Sequence, residues 1–140
     1  MRIGYLDSSV LLRNVLEESG PRLDLGRYDI LLSSRLIRIE SFRVVQRLFT
    51  VGTIDTELTS RIHLRVRSAL EGVSVVEMSE HILAQAEGTY PLSVGSLDAI
   101  HLASAVALRN LRAYDSIEFL THDSQLGRCA QALGFLVEGL

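Results

Sequence analysis

Three features of this 140-residue chain predict an α/β fold, with a largely parallel sheet of about five strands covered by helices on both faces. Short apolar runs recur along the whole length, and segments with helical periodicity separate them. The runs also show little in-out alternation, as expected of strands buried on both sides. The strands are expected at residues 3–6, 30–32, 73–76, 117–120 and 135–137. A single domain over residues 1–140 accommodates them, because a chain of this length buries roughly two thirds of its unfolded surface and needs no staple.

Each element has a local reason. Ile3 to Leu6 form the first strand, ending at Asp7, and Ser8 to Glu18 turn helical through Val10, Leu11, Val15 and Leu16. Gly20-Pro21 breaks that helix, and after a polar link Ile30 to Leu32 read as the second strand. Ser33-Ser34 close it, and either can cap the next helix, Leu36 to Leu48, which ends near Gly52. A third helix starts at Ile54 or Asp55 and reaches Leu70, with Leu58, Ile62, Val66 and Leu70 at i+4 steps. Gly72 stops it, Val73 to Val76 form a strand, and Ser79 caps a short helix reaching Glu87. After a loop containing Pro91, Leu97 to Leu108 are so apolar on every side that they read as a buried helix behind the cap Ser96. Ile117 to Leu120 are a strand, Asp123 to Leu133 a helix stopped by Gly134, and Phe135 to Val137 the last strand.

Composition narrows the function. A 47% hydrophobic and 22% charged content is that of an ordinary globular protein. One cysteine, Cys129, cannot form an internal disulfide, and no cysteine/histidine cluster offers a zinc site. No apolar run has the length of a membrane span, and Asp7 interrupts any signal-like segment. The expectation is a cytoplasmic protein with no membrane attachment. The net charge of −3 excludes a generic nucleic-acid coat, but it hides an asymmetry. Residues 35–67 hold Arg35, Arg38, Arg43, Arg47, Arg61, Arg65 and Arg67 against Glu40, Asp55 and Glu57, whereas residues 68–140 hold three arginines against nine acids. All 14 basic residues are arginine, whose planar fork suits phosphate or carboxylate partners.

Four carboxylates are candidates for the chemistry. Asp7 ends the first strand, and Asp123 follows the fourth by two residues, which places both at the edge where open α/β sheets bind ligands. Asp98 leads an apolar face that continues through Leu102 and Ala105. Glu40 occupies the inward stripe of the second helix with Leu36, Ile37 and Val44, where a lone carboxylate must be protonated, paired with a cation or bound to a metal. Local readings exist for each. Asp7 and Asp123 can be N-caps, Asp98 a first-turn acid, and Glu40 the partner of Arg43 at i+3 or Arg47 at i+7. Their coincidence is better met by a divalent metal, since clustered acids otherwise repel one another. Oxygen donors suit Mg²⁺ or Mn²⁺, which support displacement at phosphate esters. Ser8, Ser9 and Thr121 can orient the acids or simply begin helices, and His101, at i+3 from Asp98, is a metal ligand or a hydrogen-bonded core histidine. His122 is expected to be exposed, and Cys129 to pack in the core.

With these residues identified, the chain resembles the PIN-domain nucleases, most closely the VapC-type ribonuclease toxins. The likeness rests on Tyr5 to Arg13 (YLDSSVLLR), on Ser34-Arg35-Leu36 leading into Glu40 and Arg43, on Leu97 to Ala105 (LDAIHLASA), and on Phe119 to Phe135 with its Thr121-x-Asp123 core. It implies a three-layer α/β/α PIN-like fold in which Asp7, Glu40, Asp98 and Asp123 hold one or two Mg²⁺ or Mn²⁺ ions. It also implies cleavage of structured RNA, commonly tRNA or rRNA, a homodimer, and inhibition by a small VapB-type antitoxin that places an arginine or other side chain in the acidic pocket. The chain departs from the family in charge, since with no lysine its RNA affinity falls to a few arginines. Two rival readings are a phosphatase of the haloacid dehalogenase type and a catalytically silent partner-binding module. The first requires an aspartate two residues beyond Asp7, where this chain has Ser9.

Overall fold

In a computed structural model, which describes residues 1–17 and 19–140, the chain forms five strands and six α-helices. The order is β1 (Ile3–Leu6), α1 (Ser8–Val15), β2 (Ile30–Ser34), α2 (Leu36–Thr50), α3 (Thr56–Glu71), β3 (Val73–Val76), α4 (Glu80–Ala86), α5 (Ser96–Asn110), β4 (Glu118–Leu120), α6 (Ser124–Ala132) and β5 (Leu136–Glu138). All strand pairings are parallel, in the order β3-β2-β1-β4-β5. The three-layer expectation is therefore met, and the sheet is parallel throughout rather than mostly so.

Both faces of the sheet's centre are buried, β1 throughout, which explains why the central strands do not alternate, whereas the edge strands β3 and β5 are largely exposed. Ile3, Tyr5 and Phe119 face the layer of α5 and α6, where they meet Leu102, Ala105, Leu126, Cys129 and Ala130. Leu6 and Leu120 face α1, α2 and α3 through Val10, Leu11, Ile37, Val45, Ile62 and Val66. Burying a large apolar side chain contributes roughly 1.5–3 kcal/mol, so these two clusters carry much of the fold.

Several boundaries differ from expectation. α1 ends at Val15, followed by Glu17 in a left-handed conformation with φ of 52°; the expected last residue, Glu18, lies outside the described residues. Ser33 and Ser34 belong to β2, where the ladder with Val75 and Val76 extends the strand. Ser34 nevertheless serves the next helix, its hydroxyl accepting the Leu36 N–H at 3.1 Å. Ser96 is the first helical residue of α5 rather than its cap, which is Gly95 with no side-chain bond. The link before β2 contains an unexpected 3-10 turn, Leu25–Arg27, capped by Asp24. α5 is buried through its middle, but Leu97 is exposed.

The strand order positions the site. The chain builds outward from β1 through β2 to β3, then returns to the other side of β1 with β4 and β5. The reversal falls between β1 and β4, and the crevice of such a sheet opens at the carboxyl ends of those two strands. Asp7 directly follows β1, and Thr121 to Asp123 follow β4.

Candidate active site

Asp7 is held at the reversal by its neighbours. It caps α1, and its Oδ1 accepts the Ser9 N–H at 3.0 Å, the Ser9 hydroxyl at 2.6 Å and the Val10 N–H at 3.4 Å. Its Oδ2 accepts the Thr121 hydroxyl at 2.6 Å. Thr121 Oγ1 in turn accepts the Asp123 N–H at 3.0 Å, and Ser9 Oγ accepts the His122 N–H at 3.0 Å. Two hydroxyls thus lace the end of β1 to the end of β4. Ser9 and Thr121 orient an acid as expected, whereas Ser8 makes no such bond among the described residues. His122 is partly buried rather than exposed, with Nδ1 against the Gly139 carbonyl at 2.8 Å.

Asp123 caps α6 through the Leu126 N–H at 2.9 Å, so the cap readings of Asp7 and Asp123 both hold. A cap does not exclude a second role, because a carboxylate has about four lone-pair directions. Asp98 stands in the first turn of α5, half-buried. Burial, then the negative charges of Asp123 and Asp7, and in lesser part Glu40, push its carboxyl up from 3.8 to about 6. The three other acids therefore all act on Asp98. Burial also pushes the Asp7 carboxyl up, against the opposing bonds from Ser9 and Thr121.

Glu40 departs from expectation. The buried stripe of α2 is Leu36, Ile37, Ser41 and Val45, and Glu40 lies on its rim with a side chain 14% exposed. Neither Arg43 nor Arg47 pairs with it among the described residues. Its partner is His101 of α5, whose Nε2 lies 2.6 Å from Oε1. The opposite ring nitrogen, Nδ1, meets the Tyr5 hydroxyl at 2.9 Å. Both nitrogens of His101 are thus occupied by protein, which favours the core histidine over the metal ligand. A pairing across 61 residues leaves no local signal in the sequence.

The acids share the sheet's carboxyl edge, but among the described residues no three histidine, cysteine or acidic side chains close around one ion-sized point. The donor set is nonetheless apt for a hard divalent cation. It is all oxygen, it is unbalanced, and no arginine pairs with Asp7, Asp98 or Asp123 among the described residues. Arg35, Arg38, Ile39, Phe42 and Arg43 line a groove of about 350 Å³ on α2, with the Arg38 guanidinium 5.9 Å from the Phe42 ring centroid.

A three-layer fold with a parallel sheet and with acids gathered near its strand reversal defines a class of α/β protein whose chemistry sits at the carboxyl edge. The PIN-domain model matches residues 4–131, and the chain belongs to that family. Within the family it is similar to Ribonuclease VapC47 of Mycobacterium tuberculosis, at 27% identity over 139 residues, covering 94% of this chain and 93% of the relative. Its fold is similar to a chain in the crystal structure of VapBC2 from Rickettsia felis bound to a DNA fragment from their promoter. That match has a TM-score of 0.64 at 12% identity and covers 97% of each chain. No helix among the described residues is long and apolar enough to cross a membrane.

Proposed function

We propose that this protein is a metal-dependent endoribonuclease, the toxin of a type II toxin–antitoxin pair, with Asp7, Glu40, Asp98 and Asp123 holding Mg²⁺ or Mn²⁺. The observation that carries the reading is the position of Asp98, half-buried in the field of three other carboxylates with no described cation paired to the aspartates. A divalent ion there supplies the positive charge that this arrangement lacks and the Lewis acidity that phosphodiester hydrolysis needs. The chain's own residues prepare the site. Ser9 and Thr121 fix the Asp7 carboxylate, Asp123 is anchored through its backbone to the same Thr121, and Asp98 is supplied by the rigid start of α5. Arg38 and Arg43 of α2, which pair with no acid among the described residues and line a groove on that helix, offer a path for the RNA phosphates. Family membership and the likeness to a named ribonuclease support the class of reaction. The solved VapBC2 complex supports a VapB-type antitoxin as partner. Structured RNA, tRNA or rRNA, as the substrate class and a homodimer as the working form complete the proposal.

The test is cleavage of total RNA by purified, antitoxin-free protein with Mg²⁺ or Mn²⁺. Activity is expected to disappear with EDTA and in Asp7→Asn and Asp98→Asn. Variants that cut as well as wild type would sink the four-acid reading. A second reading, a silent module whose acidic cleft only receives a partner's cationic side chain, is favoured by the absence of three described donors around one point. It predicts antitoxin binding that survives in protein with no metal-dependent cleavage.

A further inference from the structure

We propose that His101 is a positioning residue that orients the Glu40 carboxylate for metal binding, an inference resting on the metal reading of the site. Three elements meet in one buried line. Tyr5 of β1 is fully buried and reaches His101 Nδ1 at 2.9 Å, and His101 Nε2 reaches Glu40 Oε1 at 2.6 Å. The line crosses the carboxyl edge of the sheet, joining α5 on one face to α2 on the other.

Hydrogen-bond logic sets the proton positions. An ionised Glu40 only accepts, so His101 Nε2 carries a proton and donates it, while Nδ1 shares a hydrogen bond with the Tyr5 hydroxyl. The ring cannot turn away to another partner. It stands edge-on to Tyr5, with centroids 5.9 Å apart and planes at 78°, and Tyr5 stacks on Phe119 at 5.4 Å. A glutamate on a helix rim otherwise samples several rotamers, and ordering it at the moment of ion binding costs free energy. Here the cost is met during folding. Oε1 is committed to His101, and Oε2, which makes no hydrogen bond among the described residues, is the oxygen left for another ligand.

The arrangement gives α5 two roles at one site. Its first turn carries Asp98, and one turn later the same helix carries the residue that aims Glu40 from the opposite layer. Hydrogen-bonding partners of metal-binding side chains typically change metal affinity by about 10–100-fold when removed.

The experiment measures Mn²⁺ affinity of the purified full chain by electron paramagnetic resonance, alongside RNA cleavage as a function of Mn²⁺ concentration. Each variant is first checked for folding by near-UV circular dichroism. His101→Asn, too short to reach Glu40, is expected to weaken Mn²⁺ binding about 10–100-fold, with cleavage largely recovered at saturating Mn²⁺. His101→Gln places an amide N–H near the lost Nε2–H and is expected to stay within about threefold of wild type. Removal of a merely structural histidine would lower stability in both without this split. If His101→Asn does not fold, Tyr5→Phe decides, with a loss of about two- to fivefold expected. Wild-type affinity in a folded His101→Asn, equal weakness in His101→Gln, or an unchanged Tyr5→Phe would overturn the proposal. A wild-type chain that neither binds Mn²⁺ nor cleaves RNA would overturn the metal reading itself, and this inference with it.

Discussion

Asp98→Asn is expected to abolish cleavage and yet stabilise the metal-free protein. Burial and the neighbouring acids raise the Asp98 carboxyl from 3.8 to about 6, so the folded state holds its proton over a pH range where the unfolded state has released it. Stability therefore falls as pH rises from about 4 to about 6, and the whole penalty is present at pH 7. A fully buried group with this difference would account for roughly 3 kcal/mol. Asp98 is only half-buried, and solvent screening reduces the figure to on the order of 1 kcal/mol. For a chain of this size that corresponds to a rise in melting temperature of about 3 °C. The assay is thermal unfolding of wild type and Asp98→Asn in EDTA from pH 3.5 to 7.5, repeated with saturating Mn²⁺. In EDTA the two should coincide near the acid end and separate toward pH 7 with the variant more stable. With Mn²⁺ the order should reverse, because only wild type gains the binding free energy. A variant that is less stable at pH 7 in EDTA, or a gap independent of pH, would refute the electrostatic account.

Three further outcomes test other parts of the molecule. Arg38→Gln combined with Arg43→Gln should weaken binding of single-stranded RNA and flatten its dependence on log salt by about 1.4, at roughly 0.7 per lost phosphate contact; an unchanged slope would remove these arginines from the path. Gly139→Ala should destabilise by about 1–3 kcal/mol and impair cleavage. Its φ is +107°, and an added Cβ would lie 2.5 Å from the carbonyl oxygen of Thr121, the residue linking Asp7 to Asp123; Gly52→Ala, at φ +80° with open space around it, should leave cleavage intact. Glu118→Gln should lower the melting temperature at pH 7, and progressively less as pH falls below 4.5. The bonds from Arg2 at 2.9 Å hold the Glu118 carboxyl below its ordinary value, so their stabilisation is present above 4.5 and fades as pH falls through the lowered folded value.

Much of the fold was legible because its determinants are local. The i+4 stripe of Ile62, Val66 and Leu70, the cap at Asp55 and the stop at Gly72 delimit α3 within about twenty residues, and α3 lies where they predict. Asp7 and Asp123 could be placed at the carboxyl edge of the sheet for a similar reason, since a carboxylate between a buried strand and a helix has one end of a parallel sheet to occupy. Asp98 was legible as an acid at the head of a helix, but its raised carboxyl depends on Asp7 and Asp123, 91 and 25 residues away in sequence.

Glu40 marks the boundary between what sequence and structure decide. Its helix and the anomaly of a carboxylate beside apolar residues were local facts, and they suggested the nearest arginines, Arg43 and Arg47, as partners. The folded chain leaves those arginines exposed and gives Glu40 to His101. Periodicity fixes which residues share a face, because it follows from the backbone repeat of each helix. Which face meets which depends on how far α2 and α5 are rotated against a common sheet, and that rotation is set by the packing of both apolar clusters at once. The sequence by itself therefore determined the layers and the edge of the sheet at which Asp7 and Asp123 stand. Only the tertiary structure decided that a tyrosine from β1 and a histidine from α5 hold the glutamate of α2.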